Sequence, residues 1–179
     1  YIDEPYFRLK HTLQNLTSFA LPDHFSFCSV SAAEYATHIN DCYENVLVDY
    51  PTISVILGHL WNNAIKYVHP NSTLDINFHS NGKHLVTKIK MFSLKIENEE
   101  IDDIYKEGYS GKWAKMISKE GHGIGMFYIK RLTEMNGGYL NVQAGITVTK
   151  INGIPYAYNE FCLSLPREII SVPLKSGRG

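Results

Sequence analysis

Three glycines at alternate positions, Gly121, Gly123 and Gly125, open the stretch "GHGIGMFYIKRLTEMNGG" at residues 121–138. A helical pattern begins there, and glycine weakens a helix interior by roughly 1 kcal/mol relative to alanine. Backbone without side chains can approach a ligand closely. The first amides of a helix are unpaired, and the helix dipole adds partial positive charge. Together these suit a polyphosphate. A flexible turn before a helix remains the plain alternative. A Rossmann reading is weak because no strand immediately precedes the glycines, and a Walker loop is excluded because no Lys-Ser/Thr follows them.

A second set lies in "TISVILGHLWNNAIKYV", residues 52–68. Asn63, Lys66 and Tyr67 fall at i, i+3 and i+4, so they share a helix face. Asn63 offers a side-chain carbonyl, a hard oxygen suited to Mg²⁺. Lys66 can neutralise phosphate, and Tyr67 can stack on a flat ring. The alternative is a core tyrosine, a solvated lysine and a polar spacer.

The elements that must position these residues follow from periodicity. Residues 6–20 carry Phe7, Leu9, Leu13, Leu16 and Phe19 at helical spacing. Ser31 could cap a helix over 32–42. Residues 45–48 form a short β-rich run. Pro51 suits a helix start, and residues 52–68 set Ile53, Ile56, Leu57, Leu60, Ala64 and Tyr67 on one side. Strands are expected near 73–79 and 84–92, joined at Asn81-Gly82. "NEEIDDIYKEG" reads as a short acidic helix closed by Gly108. Residues 109–122 lack periodicity and carry Lys112, Lys115 and Lys119. A helix over 124–135 and strands over 139–151 and 155–165, around Asn152-Gly153, complete the order. It suggests a mixed sheet with helices layered on one face.

The chain has 179 residues, 44% of them hydrophobic and 20% charged. That suits one globular domain with a real core. The net charge of −1 gives no bias toward nucleic acid or an acidic membrane. Cys28, Cys42 and Cys162 contain no CxxC pair, so a disulfide framework or zinc site is not expected and a reducing, cytoplasmic setting is. No apolar run approaches the roughly 18 residues of a membrane helix. The chain opens at Tyr1 without an initiator Met, so a fragment of a longer protein is expected.

Three strings in order, "LGHLWNNAIKY", "IYKEGYSG" and "GHGIGMFYIKRLTEMNGGYLNV", resemble the motifs of the histidine-kinase-like ATPases, the GHKL superfamily. In sensor histidine kinases the first reads approximately N-L-L-x-N-A-I-K-Y. The second resembles the family's phenylalanine box, and the third resembles G-T-G-L-G-L-x-I-V-K-R followed by H-G-G. The closing "EFCLSLP" is similar to the family's last strand. The resemblance covers about residues 30–166 and implies a two-layer α/β sandwich, the Bergerat fold. It is an α+β class with ATP between the helices and a mobile lid. It matches Asn63 to the Mg²⁺-binding Asn, Lys66 to the phosphate-contacting Lys and Tyr67 to the aromatic residue beside adenine. Gly121, Gly123 and Gly125 match the phosphate-binding glycines, with His122, Ile124 and Met126 among the same cofactor contacts. Residues 106–122 would be the lid, with Tyr109 and Lys112 reaching the nucleotide.

The pattern breaks at two places. Where the family has Asn or Glu four residues before the Mg²⁺ ligand, this chain has His59. An imidazole could bond a phosphate or orient water, but it is a poor Mg²⁺ ligand. A packed helix-face histidine is the alternative. At the D-x-G-x-G box, whose Asp accepts from the adenine amino group, the chain has Met91, Ser93 and Lys95. Losing such a buried partner costs roughly 1–3 kcal/mol. Glu160, before the Phe of the last strand, is a candidate substitute acceptor; an exposed strand carboxylate is the alternative.

The resemblance further implies transfer of the γ-phosphate to a histidine on a separate dimerisation domain. His11 lacks the usual local pattern, so residues 1–22 read as the tail of a dimerisation helix, 23–168 as the ATPase domain and 169–179 as a linker. The acceptor histidine would lie upstream. The implied partners are that dimerisation domain and a response regulator, with no nucleic acid. The full-length protein would be a homodimer, with any membrane anchor outside this fragment. A degenerate module that signals through protein contacts with weak or no ATP binding is the rival reading.

Overall fold

The computed structural model describes residues 6–7, 36–39 and 46–167. Its centre is a six-stranded mixed sheet. Strand β2 (Ala36–Ile39) pairs parallel with β4 (Thr73–Ser80), and β4 pairs antiparallel with β5 (His84–Leu94). Strand β5 pairs antiparallel with β8 (Ile154–Pro166). Strands β6 (Tyr139–Gln143) and β7 (Val148–Ile151) share the far edge of β8. A separate ribbon pairs β1 (Tyr6–Phe7) with β3 (Val46–Leu47).

Helix α1 (Tyr50–Tyr67) crosses from β2 to β4, the connection that parallel strands require. Asp49 caps it, accepting from Thr52 N at 3.0 Å and from the Thr52 hydroxyl. Its apolar stripe is buried as the spacing predicts: Ile53, Ile56, Leu57, Leu60 and Ala64 lie in the core, and Tyr67 is half-buried. Helix α3 (Gly125–Met135) packs beside α1 and buries Ile129. Both lie over the sheet face carrying Leu74, Ile76, Leu85, Ile89, Met91, Phe161, Leu163 and Leu165. The helix-on-sheet sandwich expected from the sequence is the fold.

Several elements differ from expectation. Residues 6–7 and 36–39 are strand, where helices are predicted over 6–20 and 32–42. Tyr and Phe in the first, and β-branched Thr37 and Ile39 in the second, favour strand once a partner edge is available. His11 and Ser31 lie outside the described residues. The acidic segment forms two 3₁₀ turns, Asn98–Glu100 and Asp103–Tyr105, rather than one helix. The stretch 109–122 contains a five-residue helix, α2 (Lys112–Met116). The strand expected over 139–151 is two. Residues 144–147 stand opposite only Tyr158 and Asn159, a bulge that the Asn159 side chain stabilises by accepting from Gly145 N at 3.1 Å. The turn after β7 is the expected one, with Asn152 and Gly153 both at positive φ.

Candidate functional site

The N-terminus of α3 meets the C-terminal half of α1. A methyl added at Gly125 would lie 3.5 Å from Asn63 Oδ1 and 3.7 Å from His59 Nδ1. One added at Gly121 would lie 2.8 Å from Lys66 Nζ. The glycine loop therefore runs over the face of α1 that carries half-buried His59, Asn63 and Lys66, and Gly121 and Gly125 place no side chain against it. No side chain caps the first turn of α3 at Ile124, so its leading amides have no side-chain partner there. Ammonium, amides and a side-chain carbonyl thus converge, a donor set that fits a polyphosphate with a hard cation. Among the described residues no three His, Cys, Asp or Glu side chains gather into a metal-binding group, so a cation would depend on Asn63 and on oxygens brought by the ligand.

Gly123 is the fulcrum of the loop. Its φ is +68°, and a Cβ there would come within 2.3 Å of the Gly108 carbonyl carbon. Gly108 N donates to Gly123 O at 3.1 Å, and Ser110 Oγ donates to Gly121 O at 3.2 Å. Only glycine permits this close crossing of two backbones in the left-handed region.

The His59 ring stacks on Tyr128, with centroids 5.9 Å apart and planes 11° apart. Burial lowers the His59 pKa, which favours the neutral imidazole. Tyr128 was not singled out from the sequence; it lies three residues after Gly125, on the helix the glycines open. The Tyr67 phenol is pushed up first by burial and then by the Glu120 charge. Lys66 Nζ lies 5.3 Å from the Tyr67 ring centre, and Lys119 Nζ donates to Lys66 O at 3.3 Å.

The other expected residues divide. His122 and Ile124 are exposed at the loop, while Met126 and Tyr109 are half-buried against the core. Lys112 and Lys115 each lie over an aromatic ring, Trp113 at 4.9 Å and Tyr109 at 5.3 Å. Met91 is 2% exposed, an apolar core residue paired in register with Asn159. The end of α1 reaches this strand through the Val68–Ser93 bridge and the bond from His69 N to Phe92 O at 2.9 Å.

Glu160 is not brought to this site. Strand β8 turns Asn159 and Phe161 toward the helices and Glu160 away, where its carboxylate pairs with Lys88 at 2.9 Å. The residue that faces Met91 and Ser93 from β8 is Asn159. It is fully buried, and its Nδ2 donates to Ser93 Oγ at 2.9 Å and to Leu94 O at 2.8 Å. With Gly145 N on its Oδ1, this side chain is bonded at both ends within the protein.

Known proteins share this fold. The sensor protein SrrB of Staphylococcus aureus (strain MRSA252) is 26% identical over 106 residues, which is 59% of this chain and 18% of SrrB. The chain thus spans less than a fifth of that relative. The mycobacterial sensor histidine kinase MprB superposes with a TM-score of 0.70 at 13% identity, over 90% of this chain and 96% of that one. Full-length ShkA in complex with AMPPNP superposes at 0.65 and 16% identity, over 95% of this chain and 32% of that one. The family model of the histidine kinase-, DNA gyrase B- and HSP90-like ATPases matches residues 48–167, and the chain belongs to that family.

Proposed function

We propose that this chain is the ATP-binding catalytic domain of a two-component sensor histidine kinase, and that it donates the γ-phosphate to a histidine outside it. The observation that carries this reading is the convergence of Gly121, Gly125, Lys66 and Asn63 at the uncapped start of α3. Lys66 and the α3 amides would hold the phosphates, and Asn63 would offer its side-chain oxygen to Mg²⁺. That cation would neutralise charge developing between the transferred and leaving phosphates. Neutral His59, fixed by Tyr128, would accept a proton from water or donate to a phosphate oxygen. Tyr67, Met91 and Tyr109 would line the base, and the 106–122 segment would cover it as a lid. Residues 23–168 would make up this domain. An upstream dimerisation domain and a response regulator would be its partners, in a cytoplasmic setting. Incubating the intact protein with γ-labelled ATP tests the reading. Acid-labile, base-stable label lost in Asn63→Ala is expected, and no histidine phosphate would refute it.

One observation favours a second reading, a degenerate module. Met91 offers no acceptor to an adenine amino group, and Asn159 and Glu160 are already bonded within the protein. Such a module would bind nucleotide weakly or not at all and act through protein contacts. A thermal melt separates the two, since a ligand at 100 times its dissociation constant adds about 2.7 kcal/mol.

A further inference from the structure

The turn at 97–100 sends two carboxylates onto one neighbouring segment. Glu100 Oε1 accepts from Tyr109 Oη at 2.7 Å and from Lys112 N at 2.7 Å, while its Oε2 accepts from Glu97 N at 3.2 Å. Glu97 Oε1 accepts from Trp113 Nε1 at 2.8 Å, and its other oxygen pairs with Lys95 Nζ. Every one of these donors except Lys95 and Glu97 N belongs to residues 109–113.

Beyond these bonds the segment is held by Ser110, whose hydroxyl donates to Gly121 O, by the Tyr109 ring against the core and by one short helix. Helix α2 has five residues, too few to persist alone in water. Its N-cap, Gly111, has no side chain, so the Glu100 carboxylate does the capping from a distance in sequence. Only Ala114 of α2 is buried, and Met116 is 67% exposed. The groups that the acids hold, Tyr109 and Trp113, are the same rings over which Lys115 and Lys112 lie. The position of both lysines therefore follows from where the two carboxylates hold those rings.

We propose that Glu97 and Glu100 are positioning residues that latch the 109–116 segment to the turn after β5, and through Trp113 and Tyr109 set where Lys112 and Lys115 lie. The latch lies at one end of the segment. The backbone crossing at Gly108–Gly123 and the Ser110–Gly121 bond are separate attachments, so cutting the latch loosens the segment while these keep it tethered. The inference does not require that a nucleotide bind.

Hydrogen exchange on the chain and on Glu97→Ala/Glu100→Ala tests this, with Trp113 emission and acrylamide quenching read in a Trp61→Phe background. Exchange in residues 109–117 is expected to rise about tenfold or more, with α1, β5 and β8 unchanged within about twofold. Trp113 should become more quenchable. Glu97→Gln/Glu100→Gln, which keeps acceptor oxygens, should fall between the two. Unchanged lid exchange and quenching would overturn the proposal. Equal loosening of the whole sheet would do so too, because the acids would then be general stabilisers. If the lid loosens as expected while Mg·ATP fails to bind the native chain, the nucleotide reading falls and the latch stands.

Discussion

Gly121 and Gly123 differ in what a single methyl would do. At Gly121 the methyl meets the far end of a flexible lysine, and the backbone needs no positive φ. Gly121→Ala should therefore melt within about 0.5 kcal/mol of the native chain yet crowd Lys66, and weaken triphosphate binding. Gly123→Ala places a Cβ into the Gly108 backbone in a left-handed conformation, so it should lose more than about 1 kcal/mol of stability in chemical denaturation. His59 adds a pH signature. Its folded pKa lies below the ordinary 6.5, so the unfolded chain binds the proton more readily. The stability it contributes is present above about pH 6.5 and is lost as pH falls through the folded value. His59→Phe, which can keep the stack on Tyr128, should flatten stability against pH in that acid window. An unchanged slope would assign the dependence to other groups.

At the scale of elements, strand β8 and its bulge depend on Asn159. Asn159→Ala leaves Gly145 N and Ser93 with a buried partner removed, at roughly 1–3 kcal/mol for each group left unpaired. Urea denaturation should show that loss, and amide exchange should rise first across residues 144–147. The apolar periodicity of α1 and α3 and the Asn152-Gly153 turn were legible because each depends on neighbours in sequence. The pairing of β1 with β3, the parallel seat of β2 and the capping of α2 by Glu100 were not. Each is decided by a partner far along the chain. Glu160 is an instructive case. Phe161, Leu163 and Leu165 alternate along β8, and that period already implies that Glu160 faces away from the helices. The alternative role for Glu160, a strand carboxylate turned away from the helices, is the one that matches its pairing with Lys88.

Across the whole molecule, the two sides of the candidate site differ in character. The side that the proposed reading gives to phosphate joins glycine backbone, an uncapped helix start, Lys66 and Asn63 beside two packed helices. The side at Met91 is apolar and locked by Asn159. Its motif positions were readable from the sequence, but the internal bonding of Asn159 required the fold. In the proposed reading, Lys66, Asn63 and the glycine loop suffice to hold a nucleotide. The direct measurement is isothermal titration of the chain with Mg²⁺ and a non-hydrolysable ATP analogue, repeated on Asn63→Ala and Lys66→Ala. Saturable single-site binding is expected, weakened about tenfold or more in each variant. No binding at millimolar analogue, or binding that both variants retain undiminished, would contradict it.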